Sequence, residues 1–164
     1  MTIFSDSRPM CDWSWKDIVD KDTTCFVLVK EAMSFERAEE YCKTKYDGHL
    51  ASPHLDLENH YLRVKLMEEF STEVQLGEKV LVWHGLKLEE ATRNRQTRGR
   101  FTNGRKMKYT DWLRDDENSK SYDEDISNRC TIYFAYLRVR SYFHWLTEAC
   151  EEEHPFICEI KQGA

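Results

Sequence analysis

The chain has 164 residues, a third of them charged, a net charge of −6 and a low mean hydropathy of -0.74. That length makes one domain with room for a core, and five Trp, eight Tyr and eight Phe supply large rings to fill it. No run of eighteen apolar residues is present to insert in a bilayer, and the acidic balance argues against nucleic acid and anionic membranes as partners.

Residues 1–10, MTIFSDSRPM, read as an N-terminal extension that lacks the basic and apolar regions of a secretory signal. Asp12-Trp13-Ser14-Trp15 reads as a polar turn, and Cys25-Phe26-Val27-Leu28-Val29 as a strand. A bridge between Cys11 and Cys25 would close a hairpin here. Ser34 is a good N-cap, and Phe35, Ala38, Tyr41 and Cys42 recur at helical spacing, so a helix is predicted over 34–45, stopped at Asp47-Gly48. His49-Leu50-Ala51-Ser52 is a short extended piece. Pro53 and Asp56 open a second helix over 55–70, with Leu55, Leu62, Leu66 and Phe70 in one stripe and Tyr61 beside it. Ser71 to Glu78 reads as a polar loop.

Lys79-Val80-Leu81-Val82-Trp83-His84-Gly85-Leu86 is the central strand. Its continuous apolar run predicts cover on both faces. Residues 89–128 form a long, charged loop region, with short strands predicted at Arg100-Phe101 and Met107-Lys108-Tyr109. Thr131 to Tyr136, Tyr142 to Leu146 and Pro155 to Ile160 are strands, with Arg138 to Arg140 extending or turning the first of them. Two helices followed mainly by strands give an α+β domain.

Six cysteines stand at 11, 25, 42, 130, 150 and 158, without a CxxC pair or zinc-like Cys/His spacing. An even set of this kind points to an oxidising compartment. The expected location is therefore secreted or extracellular, including the ectodomain of a membrane receptor. No Asn-x-Ser/Thr sequon occurs. Spacing alone leaves fifteen disulfide connectivities open.

The ordered motifs resemble the C-type lectin-like domain in its long, three-disulfide form, over residues 11–160, with 161–164 as a tail. Ser34-Phe35-Glu36-Arg37-Ala38-Glu39-Glu40-Tyr41-Cys42 and Gly48-His49-Leu50-Ala51-Ser52 are similar to its opening, and Glu58-Asn59-His60-Tyr61 to its second helix. Trp83-His84-Gly85-Leu86 is similar to its W-I-G-L strand, with His in place of Ile. Phe101-Thr102-Asn103-Gly104, Tyr109-Thr110-Asp111-Trp112, Cys130, Trp145, Cys150 and Phe156-Ile157-Cys158-Glu159 complete the series. The resemblance implies two helices flanking small antiparallel sheets with a long irregular loop region. It also implies pairing of Cys11 with Cys25, Cys42 with Cys158 and Cys130 with Cys150. The middle bridge would pin the two ends of the chain together.

Sugar-binding members of that family hold Ca²⁺ through an E-P-N or Q-P-D loop motif, an acid two residues before the cysteine that Cys130 matches and an Asn-Asp pair after the late Trp. Calcium takes six to eight oxygen ligands, so a site short of several fails. Here the loop motif falls near Asp116-Glu117-Asn118 and lacks its Pro, Asn128 stands two residues before Cys130, and Leu146 and Thr147 follow Trp145. The sugar-coordinating site is therefore expected to be missing. No cofactor is expected. The alternative is Ca²⁺ in a divergent site drawn from Asp116, Glu117, Asn118, Asp123, Glu124 and Asp125, beside Asp115. The plainer account of these acids is a solvated loop.

Arg93, Arg95, Arg98, Arg100, Arg105, Lys106 and Lys108 fall in sixteen residues without an acid. They are the candidate ligand-binding residues, suited to an acidic protein patch or to a sulfated or other anionic glycan. Pairing with the 115–125 acids is the equally weighted structural account. Tyr142 joins them as the candidate interface ring among Tyr133, Tyr136, Tyr142 and Phe143. The six His show no metal spacing and read as structural. No nucleophile elbow or catalytic cluster is evident. The expectation is a non-enzymatic extracellular module that binds a protein ligand or cell-surface receptor without calcium. The alternatives are a calcium-dependent lectin using the 115–125 loop, and a toxin-like or structural subunit of an oligomer. Residues 87–112 carry no cysteine, which disfavours a covalent dimer and leaves a non-covalent one open.

Overall fold

The computed structural model describes residues 11–19, 21–89, 99–115, 120–121 and 129–162. The strands are β1 (Trp13–Lys16), β2 (Thr23–Met33), β3 (His49–Leu50), β4 (Val80–Leu88), β5 (Gly99–Phe101), β6 (Arg114–Asp115), β7 (Lys120–Ser121), β8 (Cys130–Tyr136), β9 (Ser141–Glu148) and β10 (His154–Gln162). The helices are α1 (Phe35–Tyr46) and α2 (Asp56–Gln75). The main sheet runs β1-β2-β10-β4-β8-β9, with β3 added to β10 and β5 to β4, while β6 and β7 make a separate ribbon. The fold is α+β, as the sequence predicts.

β4 lies inside the sheet. It pairs in parallel with β10 at Trp83 and Phe156, and antiparallel with β8. One core cluster gathers Phe35, Ala38 and Cys42 of α1 around Trp83 and Phe156. The other gathers Leu62, Leu66 and Val74 of α2 around Val82, Tyr133 and Trp145. Cover on both faces is why β4 reads as a continuous apolar run. β2 and β10 pair antiparallel from His154 and Met33 to Gln162 and Thr23, which joins the two ends of the domain. The bridges are Cys11–Cys25, Cys42–Cys158 and Cys130–Cys150, as the resemblance implies. Cys42–Cys158 closes 116 residues of sequence. Chain-entropy models give a loop of that size about 4–5 kcal/mol.

α1 begins as predicted, with Ser34 Oγ accepting from the Arg37 amide at 3.4 Å. Its stop is built differently from a glycine cap. Asp47 is the left-handed residue, at φ 53, while Gly48 is demanded by packing, since a Cβ there would lie 2.4 Å from the Glu159 carbonyl oxygen.

Four local expectations are corrected. Asp12 to Trp15 is mostly strand rather than turn, because Trp13 to Lys16 pair with Thr23 to Phe26. α2 continues past 70 to Gln75, so 71–75 is not loop. Val74 draws that last turn into the core, although Phe70 itself has non-helical dihedrals. Leu55 is 39% exposed at the helix entry and leaves the predicted stripe. Met107 to Tyr109 is not a strand. Only Lys106 makes an isolated bridge, to Arg100, and Met107 and Tyr109 turn inward onto the α2 cluster. Between β8 and β9, Leu137–Val139 forms a 3₁₀ turn that ends at Arg140 in the left-handed region.

Candidate ligand-binding faces

Two polar assemblies support the surface, one on each side of α2's first turn. The first centres on Asn59, which is buried on α2. Its Oδ1 accepts from Tyr133 OH at 2.7 Å and from Trp145 Nε1 at 3.0 Å. Its Nδ2 donates to Asp111 Oδ2 at 2.9 Å. The other Asp111 oxygen faces His144 Nδ1 at 3.0 Å, and Arg63 Nη1 stands 3.5 Å from Oδ2. Arg63 also donates to the Tyr142 carbonyl through Nε at 3.2 Å and Nη2 at 3.1 Å, and faces His144 Nε2 at 3.2 Å. Burial pushes the Tyr133 phenol well above its ordinary pKa. Burial, with the charges of Asp111 and Asp56, pushes Tyr109 up to about 12. Tyr109 OH donates to Asp56 Oδ1 at 3.1 Å. Above this assembly lies a groove of about 350 Å³ lined by His60, Arg63, Val64, Met67, Glu68 and Tyr142.

The second assembly joins the loop after β3 to the hairpin after β5. Ser52 Oγ hydrogen-bonds Glu159 and accepts from Asn103 Nδ2 at 2.9 Å. Burial raises the Glu159 carboxyl to about 7. His54 Nδ1 faces the Ser52 carbonyl at 3.0 Å and Glu58 Oε1 at 3.3 Å, and its Nε2 meets Arg105 Nη1. Burial disfavours charged His54, but Glu58 and the Ser52 carbonyl outweigh it, so its pKa lies above the usual value. A hollow of about 510 Å³ opens beside this assembly, lined by Asp47, Gly48, His49, Asn103, Gly104, Arg105, Glu159 and Lys161.

A serine, a histidine and carboxylates are thus close together, but the wiring is not that of a hydrolase. The nitrogen that would take a hydroxyl proton faces an arginine in both His54 and His144. Ser52 bonds Glu159 and Asn103 instead of an imidazole. The arrangement holds shape and presents donors.

The candidate residues divide between these faces. Tyr142, 39% exposed, lines the α2 groove, and Arg105 lines the other hollow. Arg100 is exposed on β5, with Nη1 donating to the Gly104 carbonyl at 3.1 Å. Lys106 and Lys108 are exposed, and neither makes an ion pair among the described residues. Arg93, Arg95 and Arg98 lie outside the described residues. So do Asp116, Glu117, Asn118, Asp123, Glu124, Asp125 and Asn128. Leu146 packs against the α1 core cluster and Thr147 is buried. Among the described residues no three His, Cys, Asp or Glu side chains are grouped to hold a metal. Sequence reasoning missed Asn59, Arg63, Asp111 and His144 as one unit. No spacing links them, and only the fold brings positions 59 and 145 together.

A disulfide-pinned α+β scaffold with shape-holding polar assemblies and surface hollows defines a recognition domain. The chain belongs to the lectin C-type domain family, whose model matches residues 31–160. It is 27% identical over 152 residues to the C-type lectin lectoxin-Enh4 of Pseudoferania polylepis, covering 92% of this chain and 84% of that one. Against struthiocalcin-2 of Struthio camelus it is 28% identical over 159 residues, covering 94% and 98%. The fold matches human lithostathine with a TM-score of 0.65 at 18% identity, covering 98% of this chain and 97% of that one. The protein is an extracellular domain of a family of binding modules. All six cysteines are taken by intrachain bridges, which leaves none for an interchain bond.

Proposed function

We propose that the chain binds a protein ligand or cell-surface receptor independently of calcium. The observation that carries this reading is the pair after Trp145. The family's sugar-coordinating Asn and Asp are replaced by Leu146, which offers no side-chain oxygen and packs against the core, and by buried Thr147. Losing two ligands from a site that needs six to eight oxygens removes the basis for holding the ion. The α2 groove supports a protein partner, because it sets an exposed Tyr beside Val64, Met67 and an Arg, residue types suited to interface anchors.

The test is thermal unfolding in millimolar Ca²⁺ against EDTA, followed by binding to a panel of receptor ectodomains in EDTA. The expected result is an unchanged midpoint, with receptor binding weakened by Tyr142→Ala. A calcium site filled a hundredfold above its Kd would add about 2.7 kcal/mol. For a domain of this size that raises the midpoint by about 5–10 °C. A rise of that order would overturn the reading in favour of the lectin using the 115–125 acids.

A further inference from the structure

The β4–β5 edge carries a charge pattern that the fold itself does not need. Lys87 of β4 is the register partner of Arg100 of β5, and Arg100 makes an isolated antiparallel bridge to Lys106 beyond the turn that follows β5. All three are exposed. Partners in register share a face and stand roughly 5 Å apart, so the three cations line up over about 10 Å. Neighbouring pairs point the other way. Leu86 pairs with Phe101 and Leu88 with Gly99, and Leu86, Leu88 and Phe101 are buried. The outer face of this ribbon is therefore cationic with no apolar residue between the charges.

Like charges directly opposite one another destabilise a sheet. No ion pair with Lys87, Arg100 or Lys106 offsets that repulsion among the described residues. On the far side of Lys87 the register passes through Cys130 to Glu148, whose carboxylate is taken by His154 Nε2 at 2.8 Å. The ribbon is also held still. Thr102 donates its amide to the Gly85 carbonyl at 3.0 Å, Asn103 bonds Ser52, and Arg105 meets His54. Gly104, at φ +91, makes the turn.

We infer that the Lys87–Arg100–Lys106 ladder is a docking strip for a sulfated polysaccharide, a second binding function independent of the protein-ligand reading above. A linear polyanion needs only a fixed row of cations. A protein partner needs apolar anchors that these three positions lack, and a nucleic acid strand seeks exposed rings to stack on, which are also absent from the strip among the described residues. The acidic whole gives no general polyanion affinity, so binding has to be local to the strip.

The experiment measures binding of the full chain to size-defined heparin across a salt series. Desulfated heparin and single-stranded DNA are run alongside. The variants are Lys87→Gln, Lys106→Gln and a triple that adds Arg100→Gln, with Lys45→Gln on α1 as the control. Expected are binding to heparin but to neither comparator, more than tenfold weakening in the triple variant, and no change in the control. The slope of log K against log salt should fall by about 2 on losing three contacts. The triple variant should unfold at the same temperature as the parent or above it, since a repulsion has been removed. If the triple fails to fold, the two single variants carry the test, each weakening binding on its own. Heparin binding that survives these substitutions, equal binding to the DNA or the desulfated chain, or no binding near physiological salt would each overturn the inference.

Discussion

His84→Ile tests the central strand. His84 is fully buried on β4, with the rings of Trp145 at 4.5 Å, Tyr133 at 4.9 Å and Phe101 at 6.1 Å. Nδ1 accepts from the Leu86 amide at 3.3 Å, and Nε2 has no hydrogen-bond partner among the described residues. Burial therefore lowers the imidazole pKa to about 3 from 6.5. The unfolded chain takes up this proton below 6.5 and the folded chain refuses it until about 3, so stability present above pH 6.5 drains away as pH falls. At 1.36 kcal/mol per unit, the penalty is about 2 kcal/mol at pH 5 and close to zero at pH 7. Isoleucine carries no such titration. Urea unfolding of parent and variant at pH 7, 6 and 5 should show their stability gap widening by about 2 kcal/mol, which thermal unfolding would read as about 4–8 °C in midpoint. A constant offset at pH 7 reports the lost Leu86 contact and the removed polar nitrogen, and does not bear on the proton. Parallel curves from pH 7 to 5 would refute the reasoning.

Asn59→Leu keeps the volume but orphans two buried donors, Tyr133 OH and Trp145 Nε1. At 1–3 kcal/mol each, about 4 kcal/mol of stability should be lost by denaturant unfolding, and a loss below about 1 kcal/mol would deny the network its role. Glu159→Gln should reverse a pH trend. A carboxyl raised to about 7 stabilises the fold fully below its unfolded value of 4.5 and loses that contribution as pH rises through 7. The parent should therefore lose up to about 3 kcal/mol between pH 4.5 and 8 that the variant keeps, and equal slopes would count against it.

Those parts of the fold that obey one period were legible. Phe35, Ala38 and Cys42 mark α1, and the apolar run at Val80 to Trp83 marks β4, because burial imposes the pattern directly on the sequence. β1 was not legible. Trp13 and Trp15 are only half-buried and their strand exists by pairing with β2, which composition does not show. The last turn of α2 failed for a related reason, since Val74 alone is buried within a polar stretch. In the site, the cations could be counted from the sequence but not placed. Arg105 turns inward onto His54, while Arg100 and Lys106 stay outside, and only the hairpin register separates them.

His54 and His144 show how the surface of this domain is held in place. Each imidazole sets Nδ1 against an oxygen acceptor and Nε2 against an arginine. An arginine can only donate, so a neutral ring at either site accepts at Nε2 and carries its proton on Nδ1. In the neutral ring the same tautomer suits both sites. What the two clamps supply is position. His144 with Arg63 ties β9 to α2 beneath the Tyr142 groove, and His54 with Arg105 ties the cationic hairpin to the loop after β3. A surface held in this way loses little freedom when it meets a ligand, and that saving is the contribution a rigid scaffold makes to affinity.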